Sequence, residues 1–177
     1  MPIPNYFQDP NTLHINTTPH HAYFIPHSNV ESAVKISREL SDFFIPLNGD
    51  WDFAYFHSYQ DLPENFLHLS FQQQIPVPSN WQNHGYDRHH YTNINYPFPF
   101  DPPYVPQDNP CGLYQRDVEL TLNPQKRYLL NFEGVDSCLF VYVNRQFVGY
   151  SQISHCTSEF DITDFLQHGQ NNIQVLV

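Results

Sequence analysis

Apolar and polar positions alternate most regularly between Tyr114 and Leu122. Val118, Leu120 and Leu122 point one way there, and Asp117, Glu119 and Thr121 point the other. A period of two with one apolar face predicts a half-buried antiparallel strand. More strand-like runs follow at even spacing. RYLLNF (127–132) runs up to a turn at Glu133-Gly134, and CLFVYV (138–143) meets QFVGYS (146–151) across a short turn at Asn144-Arg145. SEFDITDFLQHGQNN (158–172) reads as a short strand, a single helical turn and a loop with a stop at Gly169. NIQVLV (172–177) reads as a last strand.

Upstream the pattern is more broken. DFFIPLNGDWDFAYFHS (42–58) has two aromatic-rich runs around Asn48-Gly49, a dipeptide that predicts a tight turn. QQQIPVP (72–78) is a short strand, and Pro76 and Pro78 confine it to a sheet edge or a strand entry. NVESAVKISRELS (29–41) predicts a helix of two to three turns, capped by Ser28 or Asn29 and ending near Arg38. Residues 1–28 are rich in Pro, Asn, Thr and His without any period, and read as an extended arm. The expected organisation is an arm with one short helix over 1–41 and an all-β domain over 42–177. About eight strands with turns every 8 to 12 residues point to a β-sandwich of jelly-roll type. The chain stops at Val177 on an apolar strand with no closing turn, the pattern of a segment cut from a longer protein.

Composition narrows the partners. Apolar residues make up 40% of the 177 positions, with fifteen Phe, twelve Tyr and two Trp, enough for one real core. Charged residues are only 14%, which hints at surfaces meant to be covered. Eighteen acids against seven bases give a net charge of −11, and the nearest thing to a basic cluster is the pair Lys126-Arg127. Counterion release from a phosphate backbone needs clustered cations, so nucleic acid is excluded as a partner, and an anionic membrane surface is disfavoured in the same way. No apolar run approaches the roughly 20 residues of a membrane span. Three cysteines without CxxC spacing, and an N-terminus with neither a basic nor an apolar leader region, read as a cytoplasmic protein with reduced thiols.

Candidate chemistry is sparse. The adjacent pairs His20-His21 and His89-His90 point to opposite faces of an extended chain, so neither chelates one ion, and solvated imidazoles are expected. Ser79, Ser151 and Ser154 lack a nucleophile elbow, and Cys111 reads as a buried small hydrophobe. Asp87, Asp101 and Asp108 flank a proline-rich stretch, but nothing marks them as a matched catalytic pair. Loop acids bonded to nearby backbone N–H groups are expected instead.

That stretch, HHYTNINYPFPFDPPYVPQDNPCGLY (89–114), holds six of the sixteen prolines. Its aromatic faces suit stacking on the C–H face of a pyranose. An Asn amide offers two donors and an acceptor to hydroxyls without carrying charge, and prolines reduce the entropy lost on binding. Trp51 and Trp81 are further stacking candidates, with core packing the expected role of Trp51.

The blocks VPSNWQNHGYDRHHYTNINYP (77–97), PPYVPQDNPCGLYQR (102–116) and FEGVDSCLFVYVNRQFVGYSQISHCTSEFDIT (132–163) resemble the N-terminal sugar-binding domain of bacterial β-galactosidases of glycoside hydrolase family 2. The resemblance runs from about Phe44 to Val177. It implies a galactose-binding-like jelly roll that precedes immunoglobulin-like domains and a (β/α)₈ barrel carrying two catalytic glutamates. A barrel alone needs roughly 200 residues or more, so no catalytic residue is expected in this segment. The resemblance assigns galactose binding to Asn93 of the Tyr91-Thr92-Asn93 motif, which Ile94 follows where Val is frequent. It implies Mg2+ and Na+ for the full enzyme, lactose-like β-galactosides as substrate, the rest of the chain as partner, and an oligomer. A sodium-binding Asp of the family falls beyond Val177. Cys111 and Arg145 depart from the family's usual Thr and Gly at two turns. Two alternatives stay open: a stand-alone carbohydrate-binding module or lectin of the same fold, and a fragment that complements a separate large polypeptide.

Overall fold

The computed structural model describes residues 3–91, 93, 96 and 98–177; Thr92 and Ile94 of the motif, and Pro97 of the proline-rich stretch, lie outside the described residues. Nine strands are named among them: β1 (His14–Ile15), β2 (Gly49–Phe56), β3 (Gln73–Val77), β4 (Cys111–Leu120), β5 (Leu129–Phe132), β6 (Leu139–Val143), β7 (Gln146–Ser151), β8 (Ser158–Asp161) and β9 (Gly169–Leu176). Seven form one antiparallel sheet in the order β1-β7-β6-β9-β4-β2-β3, and β5 pairs with β8 in a second, two-stranded sheet. The all-β jelly-roll sandwich expected from the pattern is the architecture found.

The pleat explains the two cores. Alternate residues of β6 face opposite ways, so Leu139, Val141 and Val143 join one buried cluster while Phe140 and Tyr142 join another. The first cluster lies between the large sheet and the β5–β8 ribbon, which contributes Leu130 and Phe160. The second lies on the far face, under Ile3 of the arm and Tyr59, Leu62 and Phe66 of the segment after β2. A bulge at Val148 lets Val141 pair with Gly149 and Tyr142 with Phe147. Gly149 sits under the ring of Phe160 and against Ile15 O: an added Cβ would come within 2.7 Å of the ring and 2.4 Å of that oxygen. The arm therefore closes over the sheet only because position 149 has no side chain.

Several sequence expectations hold in detail. Asn144 and Arg145 have φ of 50° and 64°, the paired positive values of a two-residue hairpin turn. β3 is the edge strand that its prolines require. Val118 and Leu120 are more sheltered than Asp117 and Glu119, as the alternation demands, but β4 starts earlier, at Cys111, where both faces are buried.

Two expectations fail. The helix after Asn29 has one turn, α1 (Val30–Ala33), not two to three; Asn29 Oδ1 caps it by accepting from Ser32 N–H at 2.9 Å. Val30, Val34 and Ile36 are all exposed, so no buried face rewards elongation, and Ile36 turns the backbone to φ 54°. The run before Asn48-Gly49 forms no strand. Pro46 interrupts it, β2 begins at Gly49, and Leu47 O accepts the indole N–H of Trp51 at 2.7 Å.

Candidate functional site

The proline-rich loop leaves the sandwich after Tyr86 and re-enters at Cys111. At its start, the Tyr86 ring packs edge-on to Phe53 (5.0 Å between centroids) and against Tyr55 (5.6 Å). At its end, Asn109 O accepts from Tyr59 N–H at 2.8 Å, and Gln107 O accepts from the Ser58 hydroxyl. Gly112 then exchanges two backbone hydrogen bonds with Val177, each 2.9 Å. The rings of Phe53 and Trp81 lie over Gly112, where an added Cβ would approach either to 2.7 Å. Both ends of the loop are thus fixed to the aromatic core.

Between these anchors the loop turns on itself. Asp101 N–H donates to Pro99 O (2.9 Å), Tyr104 N–H to Asp101 O (3.0 Å) and Asn109 N–H to Pro106 O (3.2 Å). The Tyr96 and Phe98 rings meet edge to face at 5.7 Å. Tyr91, Tyr96, Phe100 and Tyr104 are all exposed, Phe100 completely. Asn93 lies at a turn, exposed.

The other sequence candidates separate clearly. Trp51 is core, 5% exposed, with its N–H bonded inside the protein. Trp81 is half-buried against Phe53, Tyr55 and Gly112, so its ring packs rather than presents an open platform. Burial pushes the Cys111 thiol up to about 12, which keeps it protonated and unreactive at neutral pH. Asp101 acts through its main chain, and among the described residues no carboxylate of Asp87, Asp101 or Asp108 bonds a backbone N–H, contrary to expectation. Lys126 covers the Phe43 ring at 4.4 Å and Arg127 pairs with Asp161 at 2.7 Å, so the basic pair is engaged. Among the described residues, no group of three or more His, Cys, Asp or Glu side chains gathers as a metal site requires, and no helix is long and apolar enough to cross a membrane.

Sequence reasoning missed a cleft of about 470 Å³ beside the loop's start, lined by Tyr55, His57, Phe71, Gln72, Tyr86 and Asp87 among others. Burial first, and then the Asp87 carboxylate, raise the Tyr55 phenol above its ordinary range, so it remains a hydrogen-bond donor. These residues come from three separate segments, and no local signal joins them.

A β-sandwich that carries a stiff, anchored loop of exposed aromatic rings and carboxamides has the build of a carbohydrate-binding domain. A match to the family described as "Glycosyl hydrolases family 2, sugar binding domain" covers residues 44–177, and the chain belongs to that family. Among curated relatives, a β-galactosidase of Actinobacillus pleuropneumoniae is 69% identical over all 177 residues, and one of Staphylococcus xylosus is 46% identical over 93% of the chain. The chain spans 18% and 17% of their lengths. Among solved structures, a β-glucuronidase of an uncultured Clostridium superposes over 74% of this chain and 21% of its own, with TM-score 0.54 and 21% identity. A Bifidobacterium dentium β-glucuronidase complexed with coumarin-3-O-glucuronide covers 75% of this chain and 19% of its own, at TM-score 0.53 and 23% identity. These structural likenesses establish the fold.

Proposed function

We propose that this chain is the sugar-binding domain of a longer β-galactosidase, which releases terminal non-reducing β-D-galactose from substrates such as lactose. The observation that carries this reading is the 69% identity to a β-galactosidase across the whole chain, far above the 21–23% shared with the β-glucuronidases. The family chemistry is a retaining double displacement between two carboxylates about 5 to 5.5 Å apart. Those carboxylates belong to the remainder of the enzyme, and this segment is inactive without them.

The part played by this chain is binding and orientation. The loop between Tyr86 and Cys111 forms one wall of the sugar pocket, and Asn93 bridges galactose hydroxyls through its carboxamide. Pre-set turns and proline rings keep the wall stiff, so little entropy is lost when the sugar docks. Mg2+ and Na+ are expected cofactors of the full-length enzyme. The remaining chain is the first partner, in an oligomeric enzyme. A cytoplasmic location accords with three free cysteines.

The test is hydrolysis by the full-length enzyme of an aryl β-galactoside against the matching aryl β-glucuronide. Galactoside turnover with retained anomeric configuration, seen by proton NMR, is the expected result. Preferential cleavage of the glucuronide, or inversion, overturns the reading.

A further inference from the structure

A second polar cleft, of about 380 Å³, opens on the opposite side of the large sheet from the β5–β8 ribbon. The pleat assigns its floor. Ile173 and Val175 of β9 face the first core, so Asn172 and Gln174 face away from it, and their partners across β4 are Asp117 and Gln115. Asn172 Nδ2 donates to Asp117 Oδ1 at 2.6 Å, and Gln174 Nε2 donates to Gln115 Oε1 at 2.9 Å. Next along the same strands, Gln170 Nε2 reaches Asp117 Oδ2 at 3.3 Å. The hairpin tip adds Asn144 and Arg145, and Leu67 and Leu69 form an apolar wall. Arg145 Nε donates to Leu67 O at 3.2 Å, which tethers the tip to that wall.

The inventory of free groups is that of a hydroxyl binder. Asp117 and Arg145 contribute opposite charges, so the cleft prefers neither an anion nor a cation. Gln115 keeps its side-chain NH₂ and Gln170 its side-chain Oε1 free of protein partners among the described residues, while the Gln170 main-chain oxygen accepts from Gln167 Nε2. Asn172 Oδ1, in the lining, finds no protein donor among the described residues, and beneath the lining Gln174 Oε1 is likewise unpartnered. Gln174 itself is wholly buried. Such acceptors carry a cost until water or a ligand hydroxyl supplies the donor. The two leucines offer a flat apolar surface for the C–H face of a ring. The volume falls within the range of roughly 300 to 1,000 Å³ usual for small-molecule sites.

We propose that this cleft is a second carbohydrate site, separate from the Asn93 loop, that takes a neutral pyranose between the carboxamides of β4 and β9 and the leucines. Polar side chains recur at every second position of two paired central strands, β4 and β9, on the face away from the first core. The inference is independent of the β-galactosidase reading because it concerns binding and not turnover.

The experiment uses the full-length enzyme with its hydrolytic activity abolished by a saturating competitive inhibitor. Saturation-transfer NMR then follows methyl β-D-galactopyranoside and methyl β-D-glucopyranoside. A residual, saturable signal is expected, weakened about tenfold or more by Asp117→Ala and by Arg145→Asn, since each removes a charge-assisted hydrogen bond. Asn tolerates the positive φ of position 145, so the second variant keeps the turn. Turnover of an aryl galactoside by the uninhibited variants stays at the wild-type rate. Complete loss of signal with inhibitor present, or equal signal in wild type and both variants, overturns the proposal. Dissociation of the assembly in either variant also overturns it, by assigning this face to a protein contact.

Discussion

Phe160 and Phe100 are the same side chain in opposite circumstances. Phe160 is fully buried between the two sheets, meets Phe132 edge to face at 6.1 Å and lies over Gly149. Phe100 stands fully exposed on a loop that also exposes Tyr91, Tyr96 and Tyr104. Burying a Phe ring is worth about 1.5–3 kcal/mol, so the sandwich uses its aromatic surface to fold while the loop keeps its own in reserve. The loop holds its shape by other means: turns, proline rings and the anchors at Tyr59, Tyr86 and Gly112. Aromatic content alone therefore does not tell core from binding surface in this chain; anchoring and exposure do.

The largest expected effect tests that contrast directly. Phe160→Ala should cost about 3–5 kcal/mol, read in the full-length protein as faster amide exchange across β6 and β7. Phe100→Ala should leave the same amides unchanged, and equal effects would erase the distinction. Next comes the loop's own residue. Asn93→Ala should raise the barrier for galactoside hydrolysis by about 1–3 kcal/mol while exchange in β4 stays as it was. Unaltered kinetics would remove Asn93 from the pocket; loss of β4 protection would make it structural.

The smallest effect concerns the arm. His21 Nδ1 faces Ala22 O at 3.0 Å and Nε2 faces Glu159 Oε1 at 3.2 Å, so only the imidazolium satisfies both acceptors. The Ala22 carbonyl first, and then Glu159, raise the His21 pKa above its ordinary 6.5. A raised folded-state value means that the contribution is fully present below about pH 6.5 and is lost as pH rises through the folded value. The reporter is the Thr18 N–H, which donates to Glu159 O at 2.8 Å. Its exchange, corrected for intrinsic base catalysis, should quicken across that window in wild type and remain flat in His21→Gln. A flat wild-type profile would detach the arm from His21.

Much of the fold was legible because it depends on local rules. Alternation through Val118 and Leu120 announced β4, the prolines announced an edge at β3, and Asn144-Arg145 announced a hairpin. The short helix was legible only in part. Its cap at Asn29 follows from side-chain chemistry, but its length depends on whether anything packs against Val30, Val34 and Ile36, and nothing does among the described residues. Asn93 was singled out only by the resemblance of the motif around it, and its role in sugar binding remains part of the proposed function. The core role of Trp51 was expected from the sequence, but its bond to Leu47 O was not, nor was the packing of Trp81 over a glycine some thirty positions away.

The sequence by itself determined most of the strands, the hairpin turn at Asn144-Arg145 and the family, because period, turn propensity and motif order are properties of neighbouring residues. Only the tertiary structure decided which side chains share a surface. Gln115 and Asp117 meet Gln174 and Asn172 through the register of β4 on β9, and the hairpin tip joins them by folding over toward Leu67. A slip of one residue in that register would turn the same polar groups into the apolar core. Register is fixed by packing summed over the whole sheet, so no short stretch of sequence displays it.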